Sequence, residues 1–218
     1  MSIPAEHGVV SCACGGEQHD ARRVAITGGP GAGKTAVLEV VRRHFCEHVI
    51  VLPEAATIVY GGGFPRHDTL PAKRHAQIAI VHVQDRMERI EVEEHRAAVV
   101  LCDRGIPDGL AYWPDDEAAY WTEIGASKAD VLARYRAVIH MRTPRADQGF
   151  DHTNPLRIEN AREAARIDAG IERAWDGHPD RHFVASTEQF VAKLQRTLEL
   201  IARYVPECCR ARASLSAE

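Results

Sequence analysis

The run Ile26-Thr27-Gly28-Gly29-Pro30-Gly31-Ala32-Gly33-Lys34-Thr35-Ala36 carries a complete phosphate-loop pattern, G-x-x-x-x-G-K-[ST], in Gly28, Gly33, Lys34 and Thr35. Arg23-Val24-Ala25-Ile26 before it is a short apolar run suited to a buried strand, and Ala36 to Val41 after it has helical composition. A strand, a glycine-rich turn and a helix aim backbone N–H groups at phosphate, and the helix N-terminus adds partial positive charge. Gly28, Gly29, Pro30, Gly31, Ala32, Gly33, Lys34, Thr35 and Ala36 are therefore the expected nucleotide-binding loop. In this pattern Lys34 reaches the β- and γ-phosphates and the Thr35 hydroxyl holds Mg²⁺. The expected ligand is a nucleoside triphosphate, ATP or GTP, with Mg²⁺ as its metal.

At 218 residues, the chain fits one domain with a full core. A net charge of -4 gives no reason to expect a nucleic-acid surface. No stretch approaches the length of a membrane span, and the polar start Met1-Ser2-Ile3-Pro4-Ala5-Glu6 is no signal peptide, so a cytoplasmic protein is the default expectation. Of the six cysteines, Cys46 and Cys102 lie among apolar neighbours and read as buried thiols. Cys12 and Cys14, near His19, could meet Cys208 and Cys209 if the termini adjoin. Their spacing lacks the usual zinc-knuckle form, which favours reduced thiols over structural zinc.

Residues 1–21 lack periodicity and read as a flexible leader or an edge element. Further strands are expected at His48–Leu52, Ala97–Cys102, Ala137–Met141 and His182–Ala185. Helices are expected at Ala55–Tyr60, Pro71–His95, Ser127–Tyr135, Leu156–Trp175 and Thr187–Tyr204, with an aromatic, polar segment from Pro107 to Ile124. In the long helix, Ala76, Ala79, Ile80, Val83, Met87 and Ile90 recur at spacings of three and four, the mark of a core-facing stripe. Apolar strands alternating with helices predict a three-layer α/β domain around a five-stranded parallel sheet, over residues 22–205. Residues 206–218 read as a polar tail.

Ligands of open parallel sheets bind at the carboxyl ends of the strands. That rule picks out Glu54 after the second strand, Asp103 and Arg104 after the third, and Arg142 and Arg145 after the fourth. Asp103 is the candidate carboxylate for Mg²⁺, directly or through water, unless it only terminates its strand. Glu54 is placed to take or orient the proton of an acceptor hydroxyl, or to cap a helix beside Pro53. Arg104 would touch an acceptor or pair with a carboxylate. Arg142 and Arg157 bracket a Pro-, Gly- and Asp-containing loop, a lid candidate near 142–157 whose arginines could stabilise charge in phosphoryl transfer. Tyr60, Phe64, Tyr112, Trp113 and Trp121 could stack an acceptor ring or simply fill the core.

The phosphate loop, Pro53-Glu54, Asp103-Arg104-Gly105 with Asp108, Ala111-Tyr112-Trp113 and Asn154-Pro155-Leu156-Arg157-Ile158-Glu159 together resemble one family, over roughly residues 23 to 205. It is the AAA-like P-loop domains grouped with the ribosylnicotinamide kinase domain and the GTP-binding translocation-defect protein of photoreceptors. More distantly the chain is similar to thymidylate and deoxynucleoside kinases. The resemblance implies a kinase-type P-loop NTPase with a lid, Lys34 and Thr35 on the triphosphate, Asp103 on the metal, and Glu54 near the acceptor hydroxyl. Arg104 takes the place of the arginine after the strand-end acid, and Arg142 and Arg157 become lid arginines. Gly105 departs from the pattern, since those kinases more often carry serine there.

Two functions follow. One is a phosphotransferase moving the γ-phosphate of ATP or GTP to a small, nucleoside-like hydroxyl acceptor. The other is a nucleotide-dependent switch with slow hydrolysis, acting through a protein or membrane partner. No guanine-reading N-K-x-D run is present, which disfavours an ordinary GTPase. An oligomer is compatible with the sequence.

Overall fold

The structure, a computed structural model, describes residues 19–94, 96–144, 161–186 and 189–210. Most of the leader with Cys12 and Cys14, the lid stretch from 145 with Arg145 and Arg157, and residues 211–218 of the tail lie outside the described residues. In chain order the elements are β1 (Arg22–Thr27), α1 (Lys34–His44), β2 (Val49–Leu52), α2 (Ala55–Gly61), α3 (Leu70–Glu93), β3 (Val99–Asp103), α4 (Glu117–Glu123), α5 (Lys128–Ala133), β4 (Tyr135–Met141), α6 (Ala161–Ala174), β5 (Arg181–Val184) and α7 (Phe190–Ala202). Short 3-10 turns follow β3 (Ile106–Ala111) and α7 (Glu207–Cys209).

All strands pair in parallel, in the order β2-β3-β1-β4-β5. Successive side chains of a strand point to opposite faces, so β1 sends Val24 and Ile26 to one side and Ala25 to the other. The first side packs on α1 and α7 through Val37, Leu38, Val41, Leu198 and Ile201. The second packs on α3 to α6 through Val81, Tyr120, Val131, Ile167 and Ile171. The expected five-stranded, three-layer α/β fold is what forms. Among the described residues, no helix is long and apolar enough to cross a membrane.

Three expectations change. Tyr135 does not end a helix but opens β4, where its ring is buried. The aromatic segment contains α4, which starts at Asp116 because that side chain accepts the Ala119 N–H at 2.8 Å. The face α3 turns inward overlaps the apolar stripe only in part, at Ala76 and Met87. Its buried residues are Ala76, Gln77, Val81, Gln84, Asp85 and Glu88, whereas Ile90 is half exposed. Burial of these polar groups is tolerated because partners arrive from elsewhere in the chain. Glu88, fully buried, accepts from Tyr135 Oη at 2.6 Å, from Gln84 at 2.9 Å and from Arg134 at 3.0 Å. Arg23 lies 3.4 Å from it, and Arg134 also pairs with Asp85 at 2.8 Å.

Gly105 has a packing reason. A Cβ there would lie 2.6 Å from Cζ2 of the fully buried Trp175 and 3.1 Å from the Tyr135 ring. Trp175 thus fills the space that a serine would need. Gly105→Ser is expected to destabilise the domain by about 1–3 kcal/mol, the usual range for overpacking. A urea melt with an unchanged midpoint would show that the indole yields at no cost.

Candidate active site

The phosphate loop leaves β1 through residues that only glycine serves well. Gly28, Gly31 and Gly33 have φ of 128, 77 and 91°, in the left-handed range that L side chains rarely adopt. Gly28 is also pressed on β4, where a Cβ would sit 2.0 Å from the Met141 carbonyl oxygen. Gly33 caps α1, and Thr35 and Ala36 are exposed on the first helical turn. Lys34 is buried, and its Nζ donates to the loop carbonyls of Gly28 at 2.8 Å and Gly29 at 3.3 Å. Burial, with the charge of Arg104 beside it, brings its pKa down to about 8 against the pull of Asp103, Glu54 and Asp108.

The topology brings Glu54, Asp103 and Arg104 to this loop. Arg104 Nε donates to Glu54 Oε1 at 2.5 Å, and its Nη1 lies 3.5 Å from the Gly28 carbonyl oxygen and 3.6 Å from Asp108. Its guanidinium also stands 5.5 Å from the centre of the Tyr112 ring. The backbone of Arg104 has φ of 74°, a conformation uncommon outside glycine and often found at functional sites. Glu54 precedes α2 and accepts the Thr57 hydroxyl at 2.7 Å. Burial opposes its ionisation, but Arg104, Lys34 and the Thr57 hydroxyl outweigh burial and bring its pKa down to about 2. Asp108, without a role assigned from sequence, accepts from Thr27 at 2.5 Å and from the Trp175 indole N–H at 2.6 Å.

Asp103 is different. Its Oδ1 is buried without a hydrogen-bond partner among the described residues. Burial above all, then the Glu54 and Asp108 charges, raises its pKa against Lys34 and Arg104. Two cationic side chains thus face three carboxylates, and Asp103 is the one left without direct compensation.

Arg142 is tied to α6. It forms a two-pronged pair with Glu172 on α6, at 2.5 and 2.8 Å, and packs 4.6 Å over the Phe183 ring. Tyr60 and Phe64 contact each other, and Trp113 and Trp121 flank Tyr120.

Sequence reasoning missed Asp168. This α6 carboxylate accepts the Gly29 N–H at 2.8 Å and His140 Nε2–H at 3.0 Å, with Thr143 Oγ1 at 3.3 Å and Arg142 at 3.5 Å. Because an ionised carboxylate only accepts, His140 Nε2 is the donor in this bond. Burial works against the charge; the His140 bond and charge, the Gly29 N–H and Arg142 overcome it and bring the Asp168 pKa down to about 2. The available signal was a lone carboxylate on the buried face Ala164, Ile167, Asp168, Ile171.

Residues 23–190 match the sequence model of a family described as AAA domain. No curated protein sequence gives a significant match. Among solved structures, a deoxyadenosine kinase from M. mycoides, with products dCMP and a flexible dCDP bound, aligns over 83% of this chain and 99% of its own. It is 14% identical, with a TM-score of 0.55. Thymidylate kinase from Ehrlichia chaffeensis aligns over 83% of this chain and 98% of its own, at 12% identity and a TM-score of 0.55. At such identities the shared property is the fold, that of P-loop kinases.

Two measurements probe these charges. Lys34 must be protonated to hold a triphosphate, and its pKa in the free chain is about 8. ATP or GTP affinity should therefore fall above that pH, toward tenfold per unit, with proton uptake on binding. Calorimetry in two buffers of different ionisation heat checks this, and an affinity flat to about pH 9.5 would contradict it. For Asp168, the folded pKa lies below the unfolded value of about 3.9, so its stabilisation is present above that pH and fades toward about pH 2. The difference in urea midpoint between the wild type and Asp168→Asn should be largest at neutral pH and shrink below about pH 4. A difference independent of pH would point to shape, not charge.

Proposed function

As the chain belongs to this AAA domain family and folds as a P-loop kinase, we propose that it is a nucleotide-dependent phosphotransferase. It moves the γ-phosphoryl group of ATP or GTP to a small, nucleoside-like molecule through a hydroxyl. Within the family we group it with the ribosylnicotinamide kinase domain, on the motifs set out above. The observation that carries the reading is the Glu54–Arg104 pair standing at the mouth of the phosphate loop, 2.5 Å within the pair and 3.5 Å from Arg104 to the Gly28 carbonyl oxygen. A carboxylate and a guanidinium beside the triphosphate cradle are what an acceptor hydroxyl needs for orientation.

In this reading the loop N–H groups of Gly31, Gly33, Lys34 and Thr35 bind the triphosphate, the Gly29 N–H being held by Asp168, and Lys34 exchanges the Gly28 and Gly29 carbonyls for the β/γ oxygens. The donor set fits Mg²⁺: Asp103 has a buried carboxylate oxygen without a hydrogen-bond partner among the described residues, and Thr35 is exposed on the first turn of α1. Bound there by Asp103 and the Thr35 hydroxyl, Mg²⁺ would neutralise charge on the phosphate oxygens. Glu54 accepts a hydrogen bond from the acceptor hydroxyl and aims its oxygen at the γ-phosphorus. The new O–P bond forms as the bond from phosphorus to the β,γ-bridging oxygen breaks.

With a pKa of about 2 in the free chain, Glu54 is a weak base. It takes the proton late, once bonding to phosphorus has made the hydroxyl acidic, as a loose transition state permits. Arg104 holds Glu54 in place and stabilises charge developing between the reactants. Arg142 acts through α6, holding Glu172 and Asp168 and thereby the Gly29 end of the loop. Arg157 is assigned to the lid on the resemblance alone.

A screen of nucleosides, nucleotides and small alcohols, with product mass measured, tests the proposal. In the presence of the right acceptor, Glu54→Gln should lower transfer by about 10²-fold or more, the scale of general-base catalysis, with nucleotide affinity nearly unchanged. Stimulated transfer that survives the substitution would remove Glu54 from the mechanism. Nucleotide consumption that no compound accelerates would favour the switch.

A further inference from the structure

At the end of the strands opposite the phosphate loop, three distant parts of the chain bring ligands together. His19 precedes β1, His48 precedes β2, and Cys208 and Cys209 belong to the 3-10 turn after α7. One ligand atom each from His19, His48 and Cys209 lie within 4.8 Å of one another. Cys209 Sγ is 3.7 Å from His19 Nε2 and 3.9 Å from His48 Nδ1. Cys208 Sγ adds a second thiol, 3.9 Å from His19 Nε2 and 3.8 Å from Cys209 Sγ. Bonds of about 2.3 Å to sulfur and about 2.0–2.1 Å to nitrogen place the ligands of a tetrahedral zinc about 3.3 to 3.8 Å apart. The four separations that involve sulfur, 3.7 to 3.9 Å, are close to those edges, and the two thiols are too far apart for a disulfide bond of about 2.05 Å.

We propose that His19, His48 and Cys209 form a structural site for Zn²⁺, with the Cys208 thiol at its edge. Zinc suits the donors, since imidazole and thiolate together select it over Mg²⁺, which takes oxygen. The scaffold is in place for it. Cys209 is 1% exposed and packs in the core beneath the sheet. The turn that carries it is held by the Cys209 N–H to Pro206 O at 2.9 Å and by Arg210 to Val205 O at 2.7 Å. His48 is fixed by its own carbonyl oxygen, which accepts the Ala98 and Val99 N–H groups at 2.8 and 3.1 Å. On binding, each coordinating thiol gives its proton to solvent and the imidazoles coordinate as neutral rings, with no change of oxidation state. The ion would staple the entry to β1, the entry to β2 and the segment after α7 to one another.

The test uses the untagged full-length chain, purified under reductant without chelator. Elemental analysis should give about one zinc per chain, falling below about one tenth in Cys209→Ser and in His19→Ala. Replacement by Co²⁺ should produce the visible bands of tetrahedral cobalt with thiolate-to-metal charge transfer. Chelation should lower the melting temperature while leaving nucleotide affinity unchanged. A folded wild type with less than about a tenth of an equivalent of zinc and no charge-transfer band with Co²⁺ would overturn the proposal. So would zinc retained in His19→Ala, whose half-buried side chain makes it the safer variant should Cys209→Ser not fold.

Discussion

The backbone of Gly28 lies so close to the backbone of Met141 that no side chain can come between them. This contact joins the phosphate loop to the end of β4. It follows from the pairing of β1 with β4, in which Thr27 stands opposite His140. Once the loop is pinned there, Gly29 meets Thr143 and Asp168, and its N–H is taken by the Asp168 carboxylate. The first helix then begins at Gly33 with its N-terminus toward the loop. Preorganisation of this kind is what a phosphate cradle requires, because donors already in place need no reorganisation when the ligand arrives.

A second constraint is the charge confined at the strand ends. Removing charged groups from water is costly unless each finds a partner. Glu54 finds Arg104, and Asp108 finds Thr27, Trp175 and Arg104. Lys34 leans on two carbonyls. The lowered pKa of Lys34 and the raised pKa of Asp103 share burial as their main cause. They describe a site held short of electrostatic balance, with one carboxylate more than its cations. Arg104 organises the arrangement from a left-handed backbone, local strain that the contacts around its guanidinium offset.

The elements that sequence revealed are those whose signal is local. The phosphate loop is a contiguous motif, and the central strands β1, β3 and β4 are largely apolar and buried, so their positions could be read within a few residues. The inward face of α3 could not, because what allows Glu88 and Asp85 to be buried lies on β1 and β4, in Arg23, Arg134 and Tyr135. Periodicity identified the helix and part of its inward face, Ala76 and Met87, but an apolar stripe counts hydrophobic residues and cannot see distant arginines. Asp168 was hidden for the same reason, its partners Gly29 and His140 being on other elements. Glu54, Asp103 and Arg104 were found by the strand-end rule, which converts topology into location. The rule also selected Arg142, and the structure places it on Glu172 because α6 supplies a carboxylate that the strand-end argument does not include.

The indole of Trp175 has a consequence beyond packing. It is fully buried, and its N–H ends on Asp108, the carboxylate that also meets Thr27 at the end of β1 and lies near Arg104. The emission of an indole depends on the electric field along its ring, and here that field is set by the charges of the strand ends. Whatever alters them, by adding phosphate, cation or proton, acts on the chromophore through one hydrogen bond. The molecule therefore carries an optical gauge of its own site, one that needs no attached dye and is shielded from solvent by the core that Gly105 leaves room for.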